Sequence, residues 1–481
     1  MEKPNILWIC TDQQRFDTLG CYGNELVHTP NIDRLAQNGV VFDRAYCQSP
    51  VCTPSRSSFL TGRYPRATCC RQNGQSIPDR ELLITEILAR AGYFCGLSGK
   101  LHLSACSPAH CTTTERRIKD GYHIFNWSHS HKPKWPGNRY HAWLKNENVE
   151  YRTEKLKETD HVEFGMPMEY HQTTWCINEA INFIDNCSGH GTPWLFSINI
   201  FDPHAPFDPP KSHLQRYLDM LEDIPLPNYV QGELDSKPEL QLLEHKDGIN
   251  SSPIKRYKTA EMTEKDHRYI KAAYWAMIDL VDEQIGRLYA FLEEKNLLEN
   301  TIILFMSDHG ELLGDHGMYY KGPFFYEPSV RVPLIISWPS RIPPGRRCDA
   351  LVELVDLAPT LLESAGLPGS PGMQGKSFWD FLTGEAEMDS LRKSVYCEFY
   401  NSLPWNNPHA YGTMLRDDRY KIVVNHGSDL GELYDLEKDP GERTNLWNEA
   451  AFKDLKLRMM KDLCDRMAWT ADPLPIRDAA F

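Results

Sequence analysis

Short apolar runs rich in β-branched and aromatic residues recur along the chain, and each breaks off into a polar cluster. Ile6-Leu7-Trp8-Ile9-Cys10 runs into Thr11-Asp12-Gln13, and Tyr93 to Leu97 into Ser98-Gly99-Lys100-Leu101-His102. Trp194 to Ile200 runs into Asp202-Pro203-His204, and Thr301 to Met306 into Ser307-Asp308-His309. Runs of this length predict strands buried on both faces. Between them the apolar spacing becomes helical. Thr85 to Ala91 predicts a helix closed by Gly92. Thr263-Glu264-Lys265-Asp266 reads as a capping box, followed by Ile270, Tyr274, Met277, Val281, Ile285, Leu288 and Leu292 at spacings of three and four. Strands alternating with helices predict an α/β fold with a large, mostly parallel or mixed sheet sandwiched by helices. In such sheets ligands bind beyond the carboxyl ends of the strands, so the four polar clusters are predicted to converge on one site.

After about residue 375 the texture changes. Ser394 to Tyr400, Ala410 to Leu415, Tyr420 to Val424 and Glu432 to Leu436 read as short strands joined by turns, and Ala450 to Ala468 as a helix. This predicts a catalytic α/β unit over 1–375 and a small antiparallel sheet with one helix over 376–481. The turn-rich stretch 366–375 is the candidate linker.

Composition narrows the class. The 481 residues are 41% hydrophobic and 25% charged, which is ordinary for a globular chain and excludes disorder for its bulk. Lys plus Arg number 52 against 66 Asp plus Glu, a net charge of −14 that argues against a nucleic-acid or membrane surface. The 14 cysteines are scattered with no CxxC pair, which favours a reducing compartment over a disulfide scaffold. The N-terminus lacks the basic start and longer apolar core of a signal peptide, and no apolar run is long enough to span a membrane. The expected location is cytoplasmic, although a trimmed export signal would leave the same sequence.

The densest chemical signal is Cys52-Thr53-Pro54-Ser55-Arg56, followed by Leu60-Thr61-Gly62-Arg63. Pro54 suits the first turn of a helix and Gly62 its end. Cys52 is thereby placed at a helix N-terminus, where free N–H groups favour anions, with Arg56 one turn along. Alone, Cys52 would read as a small buried hydrophobe. The Pro, Arg and Gly at these offsets point instead to chemistry.

These residues resemble the defining motif of the type I sulfatases, in the alkaline phosphatase superfamily. The resemblance extends to Asp12, Gly99-Lys100-Leu101-His102, Pro203-His204, Ser307-Asp308-His309-Gly310 and Lys321, nearly the whole chain. It implies that a separate formylglycine-generating enzyme oxidises Cys52 to Cα-formylglycine. The hydrate of that group offers two hydroxyls, one to attack sulfur and one to let the diol collapse and eject sulfate. It also implies a divalent cation held by Asp12, Gln13, Asp308, His309 and residue 52. Carboxylates and an amide oxygen suit Ca²⁺ or Mg²⁺, whereas His309 pulls toward Mn²⁺ or Zn²⁺. Ca²⁺ is the first choice by resemblance. The commoner family pattern has a second Asp in place of Gln13 and often Asn in place of His309. By the same analogy Lys100 and Lys321 contact the sulfate, His102 is the base for diol collapse, His204 is the acid at the leaving oxygen, and Arg56 holds the formylglycine and its metal environment. Asn73 is a further candidate for a polar contact, or simply a turn residue.

Residues 105–170 read as a long insertion carrying Trp127, His129, His131, Lys132, Lys134, Trp135, Arg139, Tyr140, His141 and Trp143. It is either a face for a sulfated sugar or an aromatic-anchored flap. Trp405, Asn406, Asn407 and His409 are candidates for the opposite rim. His129 and His131 lack ligand-type partners at metal spacing. Three functions are open at this stage: a sulfatase acting on a sulfated small molecule or saccharide, a phosphonate monoester or phosphodiester hydrolase on the same scaffold, and a non-catalytic glycan-binding protein. The substrate, the metal and the oligomeric state are not readable from the residues.

Overall fold

The computed structural model describes residues 3–481 apart from 133–134, 188, 250–256, 387–390, 405, 407, 478 and 480–481. Lys134, Trp405 and Asn407 therefore lie outside the described residues. The strands of the main sheet are β1 (Asn5–Thr11), β2 (Val40–Phe42), β3 (Phe94–Gly99), β4 (Ile124–Trp127), β5 (Trp194–Asn199), β6 (Thr301–Ser307), β7 (Leu334–Ser337) and β8 (Arg346–Cys348). They form one eight-stranded sheet in the order β8-β2-β7-β6-β1-β5-β3-β4. The consecutive strands β6, β1, β5, β3 and β4 run parallel, with β4 at the edge. Strand β7 is antiparallel to both of its neighbours, so the sheet is mixed.

Every residue of β1 and β6 is buried, as runs without polar alternation require. Side chains divide by parity. Leu7, Ile9, Phe196, Ile198, Ile303 and Phe305 pack on one face, and Ile6, Trp8, Cys10, Leu97, Ile302 and Leu304 on the other. The first face is covered by the helices α3 (Gln172–Cys187) and α4 (Glu264–Glu294), and the second by α1 (Cys52–Thr61) and α2 (Ile84–Arg90). The capping box read at Thr263 is formed, with Thr263 and Asp266 bonding reciprocally to each other's backbone. All seven apolar positions read along α4 are buried.

A separate four-stranded antiparallel sheet follows, built from β9 (Val395–Tyr400), β10 (Tyr411–Arg416), β11 (Tyr420–Asn425) and β12 (Glu432–Asp435). Its Val395, Cys397, Phe399 and Met414 join the main core. Its other face, with Tyr396, Leu415, Ile422 and Leu433, packs on Met459 and Leu463 of α5 (Lys453–Trp469). Among the described residues no helix is long and apolar enough to cross a membrane.

The segment read as an insertion is partly sheet. Ile124–Trp127 pairs in parallel with Gly96–Gly99 as the edge strand β4. Its residues are only partly buried except Trp127, so it lacked the apolar run that marks the inner strands.

Candidate active site

The polar clusters converge where the parallel strands end. β1 delivers Asp12 and Gln13, β3 delivers Lys100 and His102, β5 leads to His204, and β6 delivers Asp308 and His309. Gly99 makes the exit from β3 possible. Its φ is +95°, and a Cβ there would lie 1.9 Å from the Asn199 carbonyl oxygen. The Lys100 N–H then donates to that same oxygen at 3.0 Å.

Cys52 is the first residue of α1, and the helix closes with Gly62 at φ +69°. Val51 offers no side-chain cap. Asn73 supplies one, since its Oδ1 accepts the Thr53 N–H at 3.0 Å. Asn73 is thus neither a bare turn residue nor, by this contact, a group facing the reacting atoms. It holds the helix that carries Cys52.

Around Cys52 Sγ stand Lys321 Nζ at 3.0 Å, His309 Nε2 at 3.1 Å, and Asp12 Oδ1 and Lys100 Nζ, each at 3.6 Å. Lys100 also donates to Asp12 Oδ2 at 2.6 Å. Arg56 ties the floor together. Its Nε donates to Asp308 Oδ2 at 2.8 Å, its Nη2 to Asp12 Oδ2 at 3.0 Å, and its Nη1 to the Lys100 carbonyl at 2.8 Å. Asp12, Gln13, Asp308 and His309 are fully buried, and Cys52 and Arg56 are 1% exposed. His204 is the open edge, with its side chain 21% exposed and Nε2 3.1 Å from Lys321 Nζ.

Ligand atoms of Asp12, Cys52, Asp308 and His309 all lie within 4.8 Å of one another. The His309 Nδ1 sits 2.8 Å from the Gly310 carbonyl and donates to it, so Nε2 is the ring nitrogen that faces the cluster. Two buried carboxylates, an imidazole nitrogen and a nearby amide oxygen fit a divalent cation.

The electrostatics follow from burial and these cations. Burial and Asp12 oppose ionisation of the Cys52 thiol, but Lys100, Lys321 and His309 outweigh them and bring it down to about 5. Burial likewise opposes the charge on Asp12, yet Lys100 and Arg56 hold it well below the usual carboxylate range. Burial, reinforced by Lys100, keeps His102 well below its ordinary value. Burial and Lys321 do the same to His204. Both imidazoles are therefore neutral near pH 7.

His102 has a left-handed backbone, φ +58°. Glu115 secures it. One Glu115 oxygen accepts the His102 N–H at 2.8 Å and the Trp127 indole N–H at 3.0 Å, and the other accepts the Leu103 N–H at 2.9 Å. Sequence reasoning missed Glu115, because an isolated Glu in a polar stretch carries no signal of a buried acceptor. His129 packs edge-on against His102 with ring centroids 4.5 Å apart, and it does find ligand-type neighbours in Cys106 and Glu115. The Glu115 oxygens are already taken by three N–H donors. His131 instead pairs with Asp208 at 3.1 Å. Trp127, Trp135 and Tyr140 are buried, so these three anchor the segment rather than face solvent.

A mixed α/β sheet with buried carboxylates, lysines and an arginine at its strand ends suits hydrolysis of an anionic ester, and likeness to known proteins puts the chain in the alkaline phosphatase superfamily. A sulfatase family model matches residues 4–367, and a model of the N-sulphoglucosamine sulphohydrolase C-terminal region matches residues 314–468. An arylsulfatase of Clostridium perfringens is 32% identical over 94% of this chain and 92% of its own length. An N-acetylglucosamine-6-O-sulfatase of Bacteroides thetaiotaomicron is 28% identical over 96% of this chain and 85% of its own. The solved phosphonate monoester hydrolase of Agrobacterium radiobacter superposes with a TM-score of 0.83 at 25% identity, covering 98% of this chain and 97% of that one. The chain belongs to the sulfatase family.

Proposed function

We propose that the protein releases inorganic sulfate from a sulfate ester, with a sulfated carbohydrate as the substrate class. The observation that carries this reading is Cys52, buried at a helix N-terminus and ringed by Lys100, Lys321 and the Asp12–Asp308–His309 cluster. Hydrated formylglycine at position 52, made by a separate maturation enzyme, supplies an oxygen nucleophile and a second hydroxyl for sulfate release. Asp12, Gln13, Asp308, His309 and residue 52 would hold one divalent cation, Ca²⁺ first with Mn²⁺, Mg²⁺ or Zn²⁺ open, which supplies positive charge to activate that nucleophile.

The remaining roles belong to the chain's own side chains. Lys100 and Lys321 flank position 52 and offset charge on the sulfuryl oxygens. Arg56 bonds to both carboxylates and keeps them from repelling one another. His102, neutral and held by Glu115, is available as a base. His204 lines the open edge and faces the departing alcohol. Burial first and Lys321 second keep it neutral; to act as an acid it must gain a proton, and an anionic ester placed against Lys321 offsets the second of these.

A second reading, hydrolysis of phosphonate monoesters, is favoured by the 0.83 TM-score to a phosphonate monoester hydrolase. One screen of defined sulfated saccharides, an aryl sulfate and a phosphonate monoester separates the two by kcat/KM. Turnover of the phosphonate above every sulfate would overturn the sulfatase reading. Glycan binding without turnover, with an unmodified Cys52 by intact mass, would mark a non-catalytic protein. Chelation is expected to abolish turnover and one divalent ion to restore it.

A further inference from the structure

Gln13 ends β1 with φ +65° and is fully buried. Both ends of its amide are engaged. Lys321 Nζ donates to Oε1 at 2.6 Å, and Nε2 donates to a carboxylate oxygen of Glu311. An ammonium accepts nothing and an ionised carboxylate donates nothing, so the two neighbours set the amide the same way round. The backbone of Gln13 is equally constrained: Tyr274 Oη donates to its carbonyl at 2.6 Å, and Asp308 Oδ1 accepts its N–H at 3.1 Å.

Glu311 is itself fully buried. Its Oε1 accepts the Leu313 N–H at 2.9 Å and the Tyr320 N–H, which leaves Oε2 for Gln13. The carboxylate therefore cannot rotate without orphaning two backbone donors.

We propose that Glu311 is a positioning residue that turns the Gln13 carbonyl oxygen toward the Cys52 cluster, and that the two residues work as one unit. The proposal rests on the cation-site reading above. Lys321 marks where the amide oxygen points, because the same Nζ is 3.0 Å from Cys52 Sγ and 3.3 Å from His309 Nε2. The unit puts a neutral oxygen on Lys321 at the edge of the Cys52 cluster and keeps its negative charge one residue further out, on Glu311. A carboxylate at position 13 would face Glu311 directly. This gives a physical reason for the amide where a second acid would otherwise serve.

The test exchanges the charge between the two positions without changing side-chain length. In Glu311→Gln the new carbonyl must stay on Leu313 and Tyr320, so its NH₂ meets the Gln13 NH₂ and drives that amide to flip. In Gln13→Glu two carboxylates meet. In the double variant the carboxylate introduced at position 13 accepts from the amide NH₂ introduced at position 311, and the formal charge of the pair equals that of the wild type. Ca²⁺ and Mn²⁺ binding is measured by titration calorimetry, with no substrate present and Cys52 in the same state throughout. Each single variant is expected to bind about 10–100-fold more weakly, and the double variant to return to within about threefold of wild type. Gln13→Ala guards against a purely structural effect. With no amide to orient, adding Glu311→Gln should cause no further loss, whereas damage to the 313–320 loop would add to it. Wild-type binding with an unaffected Glu311→Gln, or a double variant no better than its worse parent, overturns the proposal alone. A wild-type protein that binds neither ion refutes the cation site and this proposal with it.

Discussion

Arg56 offers the sharpest test of the buried centre. Its guanidinium donates to Asp308 and Asp12 inside a shell where both carboxylates have no exposed surface. Arg56→Met keeps the length and apolar bulk of the side chain and removes only charge and donors. Asp12 keeps Lys100 at 2.6 Å, so the uncompensated charge falls on Asp308. Breaking a buried ion pair from one side typically costs about 3–5 kcal/mol. At roughly 2.1 cal/mol/K per residue, a chain of 481 residues unfolding as a unit has an unfolding entropy near 1 kcal/mol/K, so Tm should drop by about 3–5 °C. A divalent cation places positive charge beside the same carboxylates. It should therefore raise Tm more in the variant than in the wild type. Differential scanning calorimetry in chelator and in saturating Ca²⁺ or Mn²⁺ measures both quantities. The pH dependence has a definite sign. Asp12 has a depressed value in the fold, so its contribution is complete above the unfolded value of about 4 and is lost only as pH falls toward the lower folded value. A variant that melts with the wild type in chelator, or gains no more from the cation, would refute this account.

Glu115→Gln puts an NH₂ against backbone or indole donors next to His102; kcat should fall by about 10²-fold with KM little changed, and an unchanged kcat would exclude a positioning role. His204→Ala should harm sugar sulfates by ~10²–10⁴-fold but aryl sulfates much less, because an activated leaving group needs little protonation, whereas His102→Ala should slow both alike. Equal losses on both substrates in both variants would refute the assignment. In unoxidised, chelator-treated protein, alkylation of Cys52 should rise with pH around about 5, while buried Cys70 and Cys95, pushed up to about 12, stay inert. Lys321→Met should move the Cys52 midpoint upward, and an ordinary thiol titration there would contradict the electrostatics drawn from the geometry.

The inner strands were legible because burial on both faces leaves a run with no polar interruption, as in Ile302 to Met306. The helix at Cys52 was legible through Pro54 and Gly62, and α4 through its capping box. Orientation was not: Leu334–Ser337 is an apolar run like the others, and nothing in its composition marks it as antiparallel. The half-buried edge strand at Ile124–Trp127 was hidden among aromatic residues. Asp12, Lys100, His204, Asp308, His309 and Lys321 could be read because each follows a strand or belongs to a family motif. Glu115, Glu311 and the capping role of Asn73 could not. Each is defined by N–H donors that only the folded chain brings to it.

The burial of Cys52 sets a clock on the making of the protein. Lys321, which closes over the sulfur, lies 269 residues further along the chain. At ~5–20 residues per second a ribosome needs roughly 15–50 s to cover that distance. For most of that interval the strand that leads to Asp308 is incomplete, and until Lys321 is made the nascent Cys52 segment lacks its final cover. Once folding finishes, 1% of the residue remains accessible. Under the function proposed above, the enzyme that alters Cys52 would have to meet an unfinished chain, and the rate of translation through residues 52–321 would then help set how much active protein forms.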